Sequence, residues 1–216
     1  MRLPVPPVRY DPSLEAQRNS MIEQEQMRTL KSGVDNTLTP GTRVLDPTWD
    51  DLRFPASGLN PPGPINAPAT DTDTGLLIFE NNKTQVMAGV AQMPHAWAEG
   101  TEIRPHVHWL QPAAGNVLWR LEYRLIPAYN GQFPAAWTTI NTATAVGAYV
   151  GPGSFVNITN FGAIDMTGFK ISAMVIFKLS RIGGDALDTL AADVPLLEFD
   201  IHYQINAFGS RAEFVK

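Results

Sequence analysis

Cysteine is absent from the 216 residues, which excludes a disulfide framework and any thiolate metal site and leaves the redox compartment unread. Charge is scarce as well: 17% of residues are charged, against roughly 25% in an average domain, and so bare a surface points to coverage by other chains. Positive charge is the minority sign, with a formal net charge of −5, so the basic stripe that nucleic acid binding requires is missing. No apolar run approaches the roughly 18 residues of a membrane span, and the Pro-rich N-terminus does not resemble a secretory signal. Neither nucleic acid nor membrane is therefore an expected partner, and the protein is expected to be made soluble. There is no internal period of about 20 to 50 residues, which excludes solenoids and propellers. Gly-x-Ser-x-Gly, a phosphate-cradling Gly-rich loop and a helical His-Glu-x-x-His are also lacking.

What remains is an apolar content of 44%, enough for a substantial core, distributed in three segments. Residues 1–33 form an arm. Its first eleven hold three prolines that favour an extended lead, and Asp11-Pro12 then opens a helix that runs to Lys31 before Gly33. The helix has few apolar positions, and Tyr10, Leu14, Met21, Ile22 and Leu30 are read as anchoring residues that dock on a neighbour rather than on a core of their own. Residues 34–73 read as a Pro/Gly-rich linker whose turn punctuators exclude regular elements, with Trp49 and Phe54 plugging the edge of the following domain. Arm and linker are expected to be mobile in the free protein and fixed in an assembly.

Residues 74–216 read as the β domain. Strands are expected over Leu76–Phe79, Gln85–Ala91, the histidine stretch ending at Gln111, Val117–Ile126, Trp137–Thr144, Tyr149–Ile158, Lys170–Arg181 and Leu197–Asn206. About eight strands with little helix beyond the arm predict an all-β fold, a jelly-roll-like antiparallel sandwich.

Two of these strands concentrate the chemistry. From Glu99 to Gln111, alternation places Glu102, Arg104, His106 and His108 on one face and Ile103, Val107 and Trp109 on the other. From Leu197 to Asn206, Leu197, Phe199, Ile201, Tyr203 and Ile205 oppose Glu198, Asp200, His202, Gln204 and Asn206. If the two strands share a sheet, His106, His108 and His202 gather with three carboxylates; no cofactor is expected, such histidines being either simply hydrogen-bonded or ligands of a divalent metal ion. The charged outward residues Glu102, Arg104, Arg120, Glu122, Arg124, Lys178, Glu198 and Asp200 are read as one face that meets sister subunits, with ion-pair register setting partner choice. Tyr129, Phe133 and Trp137, around the Asn130-Gly131 turn, either close an end of the sandwich or stack on a sugar.

The spacing Gly100 to His106-Val-His108, with His202 four residues before Asn206, resembles the opening and closing motifs of the cupin family. The carboxylate that family places after the His pair falls here on Pro112 or Ala113, and its Pro-x-Gly is replaced by Leu197 and Phe199. A cupin-like metal-dependent enzyme or a carbohydrate-binding sandwich is thus the alternative reading.

The fuller likeness lies in Trp49-Asp-Asp-Leu-Arg-Phe-Pro55, Gln92-Met-Pro-His95 with Trp97, Pro105-His-Val-His-Trp109, Trp119-Arg-Leu-Glu-Tyr123, Ile164-Asp-Met-Thr-Gly168, Ser180-Arg-Ile-Gly-Gly-Asp185 and Leu197-Glu-Phe-Asp-Ile-His202. Over roughly residues 45–216 the chain resembles a family of small tailed-bacteriophage virion structural proteins. That resemblance implies a non-enzymatic virion component without a catalytic residue, forming a homo-oligomer, with a trimer expected. It also implies attachment to other phage structural proteins (portal, adaptor, tail or capsid), with the N-terminal arm gripping the particle.

Overall fold

The computed structural model describes residues 48–129, 131–144, 155–213 and 215–216. The arm, including Tyr10, Leu14, Met21, Ile22 and Leu30, lies outside the described residues. Ten strands are present among the described ones: Thr48–Pro55 (β1), Ala69–Thr70 (β2), Leu77–Phe79 (β3), Thr84–Gln92 (β4), Ile103–Gln111 (β5), Val117–Ile126 (β6), Thr138–Thr144 (β7), Phe155–Asn160 (β8), Met174–Ile182 (β9) and Val194–Ile205 (β10). They form two antiparallel sheets. The larger runs β2-β3-β10-β5-β8 with β1 also on β10, and the smaller runs β4-β9-β6-β7.

The pairing explains the winding. From β3 onward the chain is one long hairpin folded over on itself: β3 pairs with β10, β4 with β9, β5 with β8 and β6 with β7. Rolling that hairpin brings β10 beside β5 and β9 beside β6. The result is a jelly roll, the all-β fold expected from the strand pattern.

Alternation along the strands builds the core between the sheets. On β5, Ile103, Val107 and Trp109 are fully buried, as are Val117 and Trp119 on β6 and Phe177 and Leu179 on β9. Aromatic rings join the two layers: Phe79 meets Trp119 edge-on at 5.2 Å, and Phe177 packs on Phe199 at 4.5 Å. Each such side chain contributes about 1.5–3 kcal/mol by leaving water. The polar tip of Trp109 is satisfied, since its Nε1 donates to Thr159 Oγ1 at 3.0 Å.

Two expectations are corrected. Residues 48–55 are not linker: β1 pairs with β10 over eight consecutive positions, from Thr48↔Ile205 to Pro55↔Glu198, so the described part of the sheet includes Thr48–Pro55 and is not confined to residues after 73. Phe54 does anchor this segment, 5.0 Å from Phe177, whereas Trp49 remains 46% exposed on the outer face. The second correction is on β10. Its ladder with β5 slips between Leu196 and Glu198, so Leu197 is the extra residue of a bulge, and Leu196 instead is fully buried. Downstream of the bulge the predicted alternation resumes, with Phe199, Ile201 and Tyr203 inward.

Candidate functional site

Strands β5 and β10 lie directly side by side, so the histidine and carboxylate residues do share one surface. Register sets the neighbours: His106 stands opposite Asp200, His108 opposite Glu198 and Arg104 opposite His202. From the other side β1 sets Asp51 opposite His202 and Arg53 opposite Asp200. The row Arg53, Asp200, His106, Asn160 therefore crosses four strands.

The geometry within this row is close. His106 Nε2 is 2.5 Å from Asp200 Oδ1 and His108 Nε2 is 3.4 Å from Asp200 Oδ2. The His106 ring centroid is 4.2 Å from that of His202 and 4.9 Å from that of His108. His202 Nε2 lies 2.9 Å from Asp51 Oδ1. Glu198 is engaged by Arg53, whose Nη2 donates to Oε2 at 2.7 Å. Trp49 borders the site, 6.4 Å from His202 and beneath the Arg104 guanidinium at 5.2 Å.

Burial makes the centre of the row electrostatically demanding. Asp200 is 3% exposed and His106 5%. Burial, the largest influence on the His106 imidazole, lowers its pKa, but the Asp200 carboxylate, the Arg104 carbonyl and Asp51 together outweigh it and hold the ring above the ordinary histidine value. Just below, burial first and then the hydrogen bond to Asp50 push the Tyr203 phenol well above its ordinary value; its hydroxyl donates to Asp50 Oδ2 at 2.9 Å.

Two sets of donors lie within 4.8 Å of one another: His106, Asp200 and His202, and His108, Glu198 and Asp200. All three histidines singled out from the sequence are thus brought together. Trp49, Asp51 and Arg53 join the site from β1, a segment whose Pro/Gly-rich surroundings point to linker, although Leu52 and Phe54 alternating with Asp51 and Arg53 carry the signal of a half-buried strand. The fourth histidine, His95, belongs elsewhere, with Nδ1 2.6 Å from Ser210 Oγ and Nε2 3.4 Å from Ser172 Oγ.

The expected single charged interface is corrected. Arg104, Glu198 and Asp200 belong to the larger sheet, with Glu102 just before β5, while Arg120, Glu122, Arg124 and Lys178 belong to β6 and β9 of the smaller one, so the two groups occupy opposite outer faces of the sandwich. Most are also engaged locally. Arg104 Nη2 is 2.5 Å from Glu102 Oε1, and Arg120 Nε donates to Asn141 Oδ1 at 2.8 Å. The Trp137 ring is flanked by Arg124 at 4.2 Å and Lys178 at 4.0 Å, and Phe133 by Arg124 at 5.1 Å.

The outer face of the larger sheet has an apolar side as well. At its end, β8 sets Ile158 opposite His108 and Val156 opposite Leu110, with Val156 62% and Ile158 55% exposed.

No family model matches the chain, and no curated protein matches it. Among solved structures, the chain is similar to the CBM36-1 domain of a multidomain xylanase from the hindgut metagenome of Trinervitermes trinervoides, with TM-score 0.36 and 8% identity over 70% of this chain and 96% of that one. It is also similar to TmCBM61, solved in complex with β-1,4-galactotriose, with TM-score 0.31 and 11% identity over 82% of this chain and 92% of that one.

Proposed function

We propose that this protein is a non-catalytic structural component of a bacteriophage particle, which assembles with sister copies through the β8 side of its larger sheet. The observation that carries the reading is the state of β8. Among the described residues it ends the strand order of its sheet and turns Val156 and Ile158 outward into solvent. An exposed apolar strand at a sheet edge invites pairing and aggregation in a lone protomer, and a symmetric oligomer covers it. The low charge content and the resemblance of residues 45–216 to virion proteins support the same reading. A jelly roll by itself does not decide, because capsid proteins, lectins and cupins all use it.

The absence of enzymatic activity is part of the proposal. The histidines stand on an outer face, while the space between the sheets is filled by Trp97, Trp109, Trp119, Phe79, Phe177 and Phe199, so among the described residues the imidazoles line no chamber between the sheets. Attachment to the particle falls to residues 1–33, and the oligomer is a trimer.

Quantitative mass spectrometry of purified phage particles whose genome encodes this chain tests the reading. A fixed number of copies per particle, in a multiple of three, is expected; absence of the chain from purified particles contradicts it.

A carbohydrate-binding module is the second reading, favoured by the exposure of Tyr129 and Phe133 on the loop after β6. Glycan-array binding that is lost in Tyr129→Ala and Phe133→Ala would support it over the first.

A further inference from the structure

We propose that His106, Asp200 and His202 form a binding site for a divalent transition-metal ion on the outer face of the larger sheet, within a single protomer. Three observations carry this. The first is placement: the three residues come from adjacent, registered strands, and their ligand atoms lie within 4.8 Å of one another. A first-row ion about 2.0–2.2 Å from each donor sets donor–donor separations of about 3–3.5 Å, a spacing that falls within the 4.8 Å spread of these atoms.

The second observation is Asp200. It is more than nine-tenths buried, and its Oδ1 has no hydrogen-bond partner although His106 Nε2 is only 2.5 Å away. A buried carboxylate oxygen without a hydrogen bond is costly, and a cation held between it and the His106 imidazole would satisfy it.

The third is the support around the ligands. Asp51 holds the His202 ring from β1 at 2.9 Å. A carboxylate partner of this kind orients a ligating histidine. The competing set of His108, Glu198 and Asp200 is less suited, because Glu198 is already taken by Arg53.

Two imidazoles and one carboxylate, with no thiolate in the chain, select borderline ions of the zinc, nickel, cobalt and copper class over calcium or magnesium. Three protein donors leave coordination positions open toward solvent. The ion would bridge β5 and β10 directly and secure β1 through Asp51. The site forms inside one protomer, so binding does not depend on the assembly reading.

Isothermal titration of the tag-free, chelator-stripped full-length protein with zinc chloride, and separately with nickel chloride, tests the site. One ion per chain at micromolar affinity or tighter is expected, with affinity falling at least about 100-fold in His202→Asn and in Asp200→Asn. His202 is partly exposed, so its variant keeps the fold if the buried Asp200→Asn does not; His95→Gln serves as the control and retains binding. No saturable binding to the wild-type chain, or binding unchanged in a folded His202→Asn protein, would overturn the proposal.

Discussion

Arg181 and Asp188 form an ion pair from which water is fully excluded, with Nη2 2.7 Å from Oδ1 and neither side chain exposed. Nε donates to the other carboxylate oxygen, while Nη1 and Nη2 donate to the carbonyls of Phe79, Ala192 and Leu190. Asp188 accepts in turn from the Leu118 N–H at 3.0 Å. This ion pair thus closes the excursion between β9 and β10, with the guanidinium tying it to β3 and the carboxylate to β6.

Because every donor of this group is used inside the protein, removing one partner strands the other without water. Arg181→Met and Asp188→Ala are each expected to lower stability by about 3–5 kcal/mol, and Arg181→Lys to recover little, since an ammonium cannot reproduce the fork. Urea unfolding measures this; losses below about 1 kcal/mol would contradict it.

β1 belongs to the folded domain. A fragment of residues 46–216 is expected to fold with a cooperative transition, and Phe54→Ala within it to lose about 2–4 kcal/mol, because Phe54 packs on Phe177 and Phe199. Thermal denaturation followed by near-ultraviolet circular dichroism checks both. A fragment starting at residue 57 that melts at the same temperature would show that β1 contributes nothing.

Gly89 on β4 is required by a neighbour rather than by its backbone. A Cβ there would lie 2.4 Å from Phe177 Cζ, and Phe177 is locked between Phe54 and Phe199. Gly89→Ala is therefore expected to destabilise by about 1–3 kcal/mol through overpacking, despite alanine's lower entropic cost. An unchanged denaturation midpoint would mean that the ring has room to move.

The strands that were legible in the sequence are those with clean two-residue alternation: β6 runs over Val117–Ile126 as predicted, and the inward residues of β5 all lie in the core. The histidine cluster was legible for the same reason, since alternation placed its members on one face before their pairing was known. β1 was hidden because proline and glycine on both sides mask a strand whose stability comes from pairing with β10, a partner some 150 residues away in the chain. The bulge at Leu197 was hidden because a run of two leucines reads equally well in either register. The separation of the charged residues onto two faces follows from the rolled hairpin, a property of strand order that local pattern does not contain.

Native mass spectrometry of the tag-free full-length protein, beside the double variant Val156→Glu and Ile158→Glu, tests the assembly reading most directly. A trimer in the wild type, reduced to monomer in a variant with unchanged circular dichroism, is the predicted result. A wild-type monomer at concentrations well above micromolar, or an oligomer indifferent to two charges on β8, would contradict it.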